Sequence, residues 1–429
     1  MIKKAVILAG GEGTRLRPYT ENLPKALIKV AGRELLARLL TQLKSAGVEE
    51  VFIVANARHL KRFEAFLKRE GFNAVLIPNP EPERENGYSL YLAKEFVKGR
   101  FAVVMSDHVY ETAFVEEALR RGEGLIVDRE GRYVDAQEAT KVKCKDGRIE
   151  EIGKELKSYD AFDTGFFVLD DGIFTVAERL VKERGKLTMS ELAKEARLPC
   201  SELSGYFWTD VDTPEDVKRV KKLLISQAVK GTGDGWVSRL LNRKLSTLVS
   251  YYLVDYLTPH QATLLTTLIG LLSAPLAYLS PPLGGLLYQL SSALDGVDGE
   301  IARAQLRSSR FGAWLDSVLD RLVDFSFLTA LALKLNPPVS FLPWVLAALF
   351  GSIMVSYSTE RFKGAFCQDA YAVIKELKYL PGKRDERVFI TMLFTLFNAL
   401  KELFVFTALL TNLRVLATGY LVWKYKGKE

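Results

Sequence analysis

The chain has 429 residues, a hydrophobic fraction of 48% and a formal net charge of +7. The length allows two or three domains, and the average composition hides two unlike halves: residues 1 to about 225 are mixed and charged, whereas long apolar runs begin at about residue 260. Three scattered cysteines, Cys144, Cys200 and Cys367, argue against a disulfide framework or a cysteine metal site and indicate reducing cytosolic surroundings. The opening apolar segment is too short for a signal peptide.

The first half opens with a buried-strand pattern that leads into a glycine loop. Residues 5–9 read AVILA, residues 10–16 read GGEGTRL, and PKAL follows at 24–27. Glycines allow backbone N–H groups to approach an anion, while Arg15 offers a fork of donors and Lys25 a mobile positive charge. A P-loop and a dinucleotide-binding fingerprint are excluded, because Gly-Lys-Ser/Thr and a third Gly or Ala are absent. The loop is therefore predicted to cradle phosphate.

This opening resembles the nucleotidyltransferase family of sugar-phosphate and choline-phosphate type, whose members begin L-A-G-G-x-G-T-R-L with P-K later. The resemblance implies an α/β domain with a Rossmann-like mixed sheet, and in-line attack of a phosphomonoester on the α-phosphate of a nucleoside triphosphate, which releases pyrophosphate. Arg15 and Lys25 would be catalytic, because they neutralise charge that keeps the two anions apart. The residues expected to bind the nucleotide are Leu8, Ala9, Gly10, Gly11, Gly13, Thr14, Asn86 and Ser89.

Carboxylates mark further segments of the first half. Residues 103–107 (VVMSD) read as a strand ending in an exposed carboxylate, as a metal ligand at the carboxyl edge of a parallel sheet should. By the resemblance Asp107 carries Mg2+, and a second ligand comes from residues 208–216, with Asp210 preferred and Asp212 close behind. The resemblance also makes Asp163 a contact of the acceptor. Solvated or capping roles are expected for the three isolated histidines, His59, His108 and His260.

A glycine-rich joint and an amphipathic segment connect the two halves. Residues 231–235 (GTGDG) predict a flexible joint, and apolar and basic side chains then recur at helical spacing up to Pro259. We expect an amphipathic helix along the cytoplasmic membrane surface, from which Arg239 and Asn242 either reach into a membrane site or only anchor the helix. The expected divisions are a nucleotidyltransferase domain at 1–225, a linker at 226–260 and a membrane domain at 261–429.

Long apolar runs in the second half predict an all-α membrane domain of about six transmembrane helices. The runs lie at about 262–280, 283–303, 312–334, 339–360, 386–408 and 409–424. Lys and Arg collect before the first span, after the second and fourth, and at the C-terminal tail. Because cytoplasmic loops carry the excess of basic residues, both termini are expected in the cytoplasm.

The second half also carries the pattern D-x2-D-G-x2-A-R-x8-G-x3-D-x3-D. Its fixed positions are Asp295, Asp298, Gly299, Ala302, Arg303, Gly312, Asp316 and Asp320. Helical spacing puts the first two aspartates on one stripe and the last two on another, so two antiparallel helices could bring all four together. Ionised groups are costly at the ends of apolar runs, so a site for Mg2+ or Mn2+ explains them better than a solvated surface. Small residues leave room for a bulky ligand and Arg303 can meet a phosphate, which favours a pyrophosphate.

From about Arg239 onward the chain resembles the CDP-alcohol phosphotransferase family, whose signature it matches at every fixed position. The resemblance implies a two-metal site built from the four aspartates, with Asp320 as the general base that takes the proton of an acceptor hydroxyl. Attack on the CDP-linked phosphate would release CMP, and the membrane helices would form a homodimer. The residues assigned to nucleotide binding are Gly299, Ala302, Arg303 and Gly312. The alternative is that the aspartates only pair with neighbouring arginines.

The order of the two resemblances indicates consecutive reactions, because the product of a cytidylyltransferase is the CDP-alcohol that the second domain consumes. The layout is similar to bifunctional enzymes of hyperthermophiles that make CDP-inositol from CTP and inositol-1-phosphate. These enzymes then condense CDP-inositol with a second inositol-1-phosphate, giving di-myo-inositol-phosphate-phosphate and CMP. A basic cluster near the predicted site would suit this phosphorylated acceptor or, alternatively, anionic lipid. Its members are Lys375, Lys378, Lys383, Arg384 and Arg387.

Three other functions remain open on the sequence. A cytidylyltransferase fused to a phospholipid synthase would use the same motifs but a lipid acceptor. A transporter would use intramembrane aspartates, yet paired hydropathy repeats are not found. A sensor derived from an inactive nucleotidyltransferase would not need the glycine loop, Arg15, Lys25 and Asp107 together. The partners expected are the substrates, the lipid bilayer and a second copy of the chain, with no nucleic acid.

Overall fold

The computed structural model describes residues 2–229 and 235–426, so residues 231–234 of the predicted glycine joint lie outside the described residues. The chain divides into two compact units, Met1–Lys221 and Lys222–Glu429. The first unit is an α/β structure and the second is helical.

A mixed sheet forms the centre of the first unit. Its main path runs β10-β9-β11-β6-β1-β4-β5, with β8 beside β11 and β12 beside β8. The strands are β1 (Lys4–Ala9), β2 (Lys29–Val30), β3 (Arg33–Glu34), β4 (Glu50–Asn56), β5 (Val75–Asn79), β6 (Phe101–Met105), β7 (His108–Tyr110), β8 (Gly124–Asp128), β9 (Lys141–Lys145), β10 (Arg148–Gly153), β11 (Ala161–Leu169), β12 (Cys200–Glu202) and β13 (Trp208–Asp210). β1 is parallel to β4 and β6, whereas β11 is antiparallel to β6, β8 and β9. The predicted Rossmann-like mixed sheet is confirmed.

Helices cover both faces of this sheet. They are α1 (Leu35–Ser45), α2 (Leu60–Glu70), α3 (Glu85–Tyr91), α4 (Thr112–Ala118), α5 (Ile173–Arg184), α6 (Met189–Glu195) and α7 (Pro214–Gln227). Successive side chains of a strand point to opposite faces, so Ala5 and Ile7 pack with α1, α2 and α4, while Val6 and Leu8 pack with α3, α5 and α6. The parallel pairing of β1 and β6 places their carboxyl ends side by side, where the N–H of Ser106 donates to the carbonyl of Leu8 at 3.2 Å. The glycine loop and Asp107 leave the sheet at this edge.

A disulfide joins Cys144 in β9 to Cys200 at the start of β12, with their Cα atoms 6.5 Å apart. The expectation that the cysteines form no disulfide is therefore wrong. The turn between β9 and β10 lies against the segment before β12, where the N–H of Cys200 donates to the carbonyl of Gly147 at 2.8 Å. This pairing brings together cysteines that are 56 residues apart, a separation that leaves no local signal in the sequence. Cys367 is free and exposed.

The second unit is built from helices. After a π-helical turn at Ser238–Asn242 they are α8 (Arg243–Leu253), α9 (Pro259–Leu279), α10 (Pro281–Leu294), α11 (Gly296–Ala304), α12 (Arg310–Leu335), α13 (Leu342–Phe366), α14 (Ala370–Val373), α15 (Arg384–Leu396) and α16 (Leu400–Lys426). Within the described residues, three helices are long and apolar enough to cross a membrane: Pro259–Leu279, Val339–Phe366 and Leu400–Lys426. The prediction of a helical second domain is confirmed.

The boundary predicted between the last two spans at 408–409 is wrong. Helix α15 ends at Leu396 and α16 runs without interruption from Leu400 to Lys426. Asn398 has a φ of +52°, a left-handed conformation that a helix interior does not accommodate. Arg414 is a buried residue of α16 and donates hydrogen bonds to the carbonyls of Leu380 and Pro381. Its charge is therefore satisfied by the irregular segment that precedes α15.

The amphipathic segment before the first span has its polar side chains inside the unit. Ser246 and Ser250 are buried in α8, as is Asn242 in the turn before it, whereas Leu240 and Leu241 are more than half exposed. This is the reverse of a helix on an aqueous surface, and it suits a segment whose outer face meets lipid. Of the two polar residues expected to reach a membrane site, Asn242 is buried and Arg239 is exposed.

Candidate active sites

The carboxyl edge of the first unit's sheet encloses a cavity of about 520 Å³. It gathers most of the residues predicted for the first site from segments that are far apart in the sequence. The predicted residues that line it are Leu8, Gly10, Gly11, Gly13, Thr14, Arg15, Lys25, Asn86, Ser89, Asp107, Asp163, Asp210 and Asp212. Ala9 is buried in the sheet and does not line the cavity.

Lys25 joins the glycine loop to two carboxylates of the cavity. Its ammonium group donates to Asp107 Oδ2 at 2.7 Å and to Asp212 Oδ1. Arg15 reaches the other oxygen of Asp212 at 2.5 Å. The loop permits this approach because Gly13 has a φ of +64° and a Cβ there would lie 3.0 Å from Cβ of Lys25. A glycine is therefore favoured at this point of the loop, both for its backbone conformation and for the close approach of Lys25.

The charges of Lys25 and Asp107 stabilise each other. Partial burial alone would raise the pKa of Asp107, but attraction to Lys25 and the contact with His108 hold that pKa well below its usual range. Burial would likewise lower the pKa of Lys25, and the attraction of Asp107 and Asp212 outweighs it, so the pKa of Lys25 is raised. Lys25 is therefore cationic and Asp107 anionic at neutral pH. This charge state suits the binding of phosphate and a divalent cation together.

His108 belongs to this site, although a solvated or capping role was expected for it. Its Nδ1 lies 2.8 Å from Asp107 Oδ1, and its ring stacks on Trp208 with 6.2 Å between the ring centroids. Burial opposes protonation of His108, and the neighbouring Asp107 outweighs burial, so its pKa is raised. The other ring nitrogen faces Gly165, where a Cβ would lie 2.8 Å from it. Its position directly after Asp107, the carboxylate at the end of a strand, is the feature of the sequence that could have indicated this role.

The two candidate aspartates of residues 208–216 occupy different places. Asp210 ends β13 and pairs across the strands with His108, whereas Asp212 contacts the same ammonium group as Asp107. Partial burial raises the pKa of Asp210, which the proximity of His108 only partly offsets. Asp107 and Asp212 are thus the pair that converges on one point.

The remaining predicted contacts shape the walls of the cavity. Asn86 accepts a hydrogen bond from the N–H of Met189 at 2.8 Å. Ser89 is buried and accepts a hydrogen bond from Asn79 at 3.0 Å. Asp163 accepts from the N–H of Gly165 at 2.8 Å, which fixes the turn that faces His108. Each of these residues also borders the cavity.

In the second unit, three aspartates of the D-x2-D-G-x2-A-R-x8-G-x3-D-x3-D signature converge. Asp295, Asp316 and Asp320 each present an oxygen atom within 4.8 Å of the others. Oxygen ligands at this spacing fit Mg2+ or Mn2+. Asp298 is buried one helical turn from Asp295 and accepts a hydrogen bond from Thr263 Oγ1 at 2.6 Å. The structure therefore brings together three of the four aspartates and holds the fourth with a hydroxyl group.

Arg384 lies among these carboxylates. Its guanidinium group is 3.0 Å from Asp295 Oδ2 and 3.1 Å from Asp320 Oδ1. Its Nε donates to Asp324 Oδ1 at 3.2 Å, and Tyr288 donates its hydroxyl proton to the same oxygen at 2.7 Å. Asp324 and Tyr288 were not among the predicted site residues, although Asp324 stands one helical turn after Asp320.

Only two of the five basic residues predicted to bind the acceptor line a cavity beside the aspartates. Lys383 and Arg384 line a cavity of about 260 Å³ that also reaches Asp295. Lys375 and Lys378 are exposed on a short helical turn and do not line this cavity. Arg387 is buried, and its guanidinium group donates to the carbonyl of Gly382 at 3.1 Å.

The structure also shows the surroundings of the small residues and the arginine of the signature. A Cβ at Gly299 would lie 3.0 Å from Nη1 of Arg303, so the glycine makes room for that guanidinium group. Arg303 donates a hydrogen bond to the carbonyl of Ala228. Gly312 donates its N–H to Ser309 at 2.9 Å at the start of α12. Ala302 is partly exposed on α11.

Residues 4–227 match the family described as nucleotidyl transferase, and residues 255–419 match the family described as CDP-alcohol phosphatidyltransferase. A protein of Aquifex aeolicus (strain VF5), described as a bifunctional IPC transferase and DIPP synthase, is 64% identical and covers 100% of both chains. A protein of Thermococcus kodakarensis with the same description is 54% identical, with 98% of each chain covered. A solved structure of the inositol-1-phosphate CTP transferase from T. maritima is 26% identical, covers 52% of this chain and 94% of that chain, and has a TM-score of 0.48.

The two matched families define a bifunctional enzyme, a nucleotidyltransferase joined to a CDP-alcohol phosphotransferase. Both families use divalent metal ions, and the second is a family of membrane enzymes. The chain belongs to the family of bifunctional IPC transferases and DIPP synthases.

Proposed function

We propose that the chain carries out two consecutive reactions on inositol phosphate. The first converts CTP and inositol-1-phosphate to CDP-inositol and pyrophosphate. The second transfers inositol phosphate from CDP-inositol to a second inositol-1-phosphate, giving di-myo-inositol-phosphate-phosphate and CMP. The observation that carries this proposal is the 64% identity, over the full length of both chains, to a bifunctional IPC transferase and DIPP synthase.

In the first reaction, the cavity of the first unit would hold CTP against the glycine loop. Lys25 and Arg15 neutralise negative charge on the phosphates, which allows the phosphate oxygen of inositol-1-phosphate to attack the α-phosphorus in line. Asp107 and Asp212 would hold a divalent metal, since both contact one ammonium group, and Asp210 is the less suited partner. The bound metal would supply further positive charge at the phosphates. Pyrophosphate leaves, and no covalent enzyme intermediate is required.

In the second reaction, Asp295, Asp298, Asp316 and Asp320 would bind two metal ions, Mg2+ or Mn2+. Metal ions at such a site stabilise charge on the attacking and leaving oxygens. Asp320 would accept the proton of the acceptor hydroxyl, whose oxygen attacks the phosphate joined to inositol, and CMP would leave. Gly299, Ala302, Arg303 and Gly312 would contact the nucleotide.

The acceptor would enter through the cavity that Lys383 and Arg384 line. Both residues border the same space as Asp295, so a bound phosphate would lie close to the reacting groups. Lys375 and Lys378, which are exposed, would instead face the anionic membrane surface. Arg387 would support the loop through its bond to Gly382.

We further propose that both sites face the cytoplasm and that the protein forms a homodimer through its membrane helices. The three long apolar helices support membrane insertion. The basic residues before α9 and between α13 and α15 support a cytoplasmic location for those segments. Cross-linking in inverted membrane vesicles would test both the dimer and the sidedness.

Phosphorus NMR of the purified full-length protein tests the two reactions together. The protein is incubated in detergent with Mg2+, CTP and inositol-1-phosphate, without added lipid. We expect a CDP-inositol signal followed by a new phosphodiester and CMP. CDP-inositol that accumulates without CMP would contradict a soluble acceptor and favour a phospholipid synthase, whereas no CDP-inositol at all would contradict the choice of inositol.

A further inference from the structure

An arginine outside the signature borders the second site. Arg243 is the first residue of α8 and lines the cavity shared by Asp295, Lys383 and Arg384. Its side chain is 21% exposed. Four basic residues, Arg243, Arg321, Lys383 and Arg384, therefore line a cavity of about 260 Å³ next to the aspartates.

Glu300 fixes the position of this arginine. Glu300 occupies a free position of the signature, and its side chain is fully buried. Ser246 and Ser250 each donate a hydrogen bond of 2.7 Å to it, one to each carboxylate oxygen. Nη1 of Arg243 lies 3.5 Å from Glu300 Oε1. A buried carboxylate requires such partners, so Glu300 holds both α8 and the guanidinium group in place.

Gly296, another free position of the signature, makes room for the same group. A Cβ at Gly296 would lie 2.5 Å from Nη1 of Arg243. The guanidinium group therefore packs directly against the backbone of the residue that follows Asp295. An alanine at this point would displace the end of the arginine side chain, with little effect on the helix itself.

We propose that Arg243 binds the phosphate group of the acceptor in the second reaction, and that Glu300 is its positioning residue. The inference rests on the proposed function, in which the acceptor is itself a phosphomonoester. A planar guanidinium group suits the bidentate binding of phosphate. Arg243 and Lys383 add positive charge to the cavity beside Arg384, so the arrangement favours a phosphorylated acceptor over a neutral alcohol.

The test measures CMP release by the full-length protein in detergent, with CDP-inositol as donor and either inositol-1-phosphate or myo-inositol as acceptor. In Arg243→Gln we expect the KM for inositol-1-phosphate to rise about 10- to 100-fold, as loss of a charge-assisted hydrogen bond should cause. The KM for CDP-inositol should stay within about twofold. The preference for inositol-1-phosphate over myo-inositol, as a ratio of kcat/KM values, should fall by the same factor as the acceptor KM rises.

Two further variants separate positioning from folding. Gly296→Ala should raise the acceptor KM by a smaller factor, because it moves the guanidinium group without removing it. Glu300→Gln should raise the same KM and leave the rate with myo-inositol unchanged, whereas a purely structural role would lower both rates. Pyrophosphate release in the first reaction serves as the folding check for every variant.

Two matched controls come from the same unit. Lys244 is an exposed basic residue directly after Arg243, and a Cβ at Gly419 would meet nothing within 4 Å. Lys244→Gln and Gly419→Ala should leave both KM values unchanged. An unaltered acceptor KM in Arg243→Gln, or an equal rise in the donor KM, would overturn the inference. Failure of the unsubstituted protein to use inositol-1-phosphate would instead overturn the proposed function, and the inference with it.

Discussion

The two sites assemble their carboxylates in opposite ways. In the first unit, Asp107 and Asp212 follow different strands of the structure and meet only because the sheet brings their segments to one edge. In the second unit, Asp295, Asp316 and Asp320 lie on or beside two consecutive helices and converge through helical spacing. A site on neighbouring helices is encoded locally, whereas a site at a sheet edge depends on the whole fold.

The central cations also differ. Lys25 brings a single positive charge to two carboxylates in the first unit. The two terminal nitrogens of Arg384 contact Asp295 and Asp320, and its Nε contacts Asp324. A lysine can move with its ligands, whereas an arginine held by three partners has a fixed orientation.

The largest effect should come from separating the two reactions. We expect Asp320→Asn to slow CMP release from CDP-inositol by about 10²- to 10⁴-fold, the usual contribution of a general base, while pyrophosphate release continues. Asp107→Asn should do the reverse. Each product is quantified by chromatography with the full-length protein.

A turn aspartate provides the control for this pair. Asp146 has a φ of +53° in the turn between β9 and β10 and is exposed, and asparagine tolerates this conformation. Asp146→Asn should therefore alter neither reaction. Loss of both reactions in Asp320→Asn or in Asp107→Asn would refute the independence of the two sites.

The next effect tests the difference between the two cations. Lys25→Met should slow pyrophosphate release by about 10²- to 10³-fold, because charge at the phosphates is no longer neutralised. Arg384→Lys should slow CMP release markedly, because one ammonium group cannot contact three carboxylates in the geometry of a guanidinium group. Steady-state kinetics of each half-reaction provide the comparison. An unchanged rate of CMP release in Arg384→Lys would show that the guanidinium group is not needed.

A smaller effect concerns the disulfide, which only the first unit has among the described residues. Cys144→Ser should lower the free energy of unfolding of that unit by about 2–4 kcal/mol, as expected for a bridge that closes a long loop. The bridge spans 56 residues. Thermal unfolding, followed with and without reductant, measures the change.

Cys367→Ser is the control for the disulfide, since Cys367 is free and exposed. It should leave the unfolding temperature unaltered. Reductant should also have no effect on Cys144→Ser beyond that of the substitution itself. An unfolding temperature that Cys144→Ser does not lower would mean that the bridge contributes nothing to the stability of the unit.

The smallest expected effect tests the glycine loop. Gly13→Ala and Gly99→Ala both place an alanine at a positive φ, which costs about 1–2 kcal/mol, but only at Gly13 would the new Cβ meet Lys25. Gly13→Ala should therefore also raise the KM for CTP several-fold, and Gly99→Ala should not. Equal KM values in the two variants would mean that Lys25 adapts to the added carbon.

The family resemblance of the glycine-loop motif implied the mixed sheet, whereas the apolar runs and the aspartate spacing predicted the helical second unit and the converging aspartates. It did not predict the disulfide between Cys144 and Cys200. Strand pairing decides which distant cysteines meet, and no local pattern reports that pairing. For the same reason the sequence favoured Asp210 over Asp212, since a one-strand motif does not reveal which carboxylate faces Lys25.

Other misses have a different physical cause. The predicted boundary at 408–409 ends a span shortly before Arg414, yet Arg414 is buried in α16 and bonded to the carbonyls of Leu380 and Pro381. A charge in an apolar run signals a loop only when no buried partner exists, and partners are not visible in a sequence. His108 was assigned a role without regard to its neighbour Asp107, and the aspartate pattern was not extended to Asp324, one helical turn after Asp320.

The buried side chains of α8 indicate which residues the second unit needs in order to fold by itself. The family match starts at residue 255 and the first long apolar helix at Pro259, but Glu300 depends on Ser246 and Ser250. A truncated protein starting at Pro259 would therefore keep every long apolar helix and still bury a carboxylate without its hydroxyl donors. The smallest autonomous version of this enzyme half must include the polar helix that precedes it.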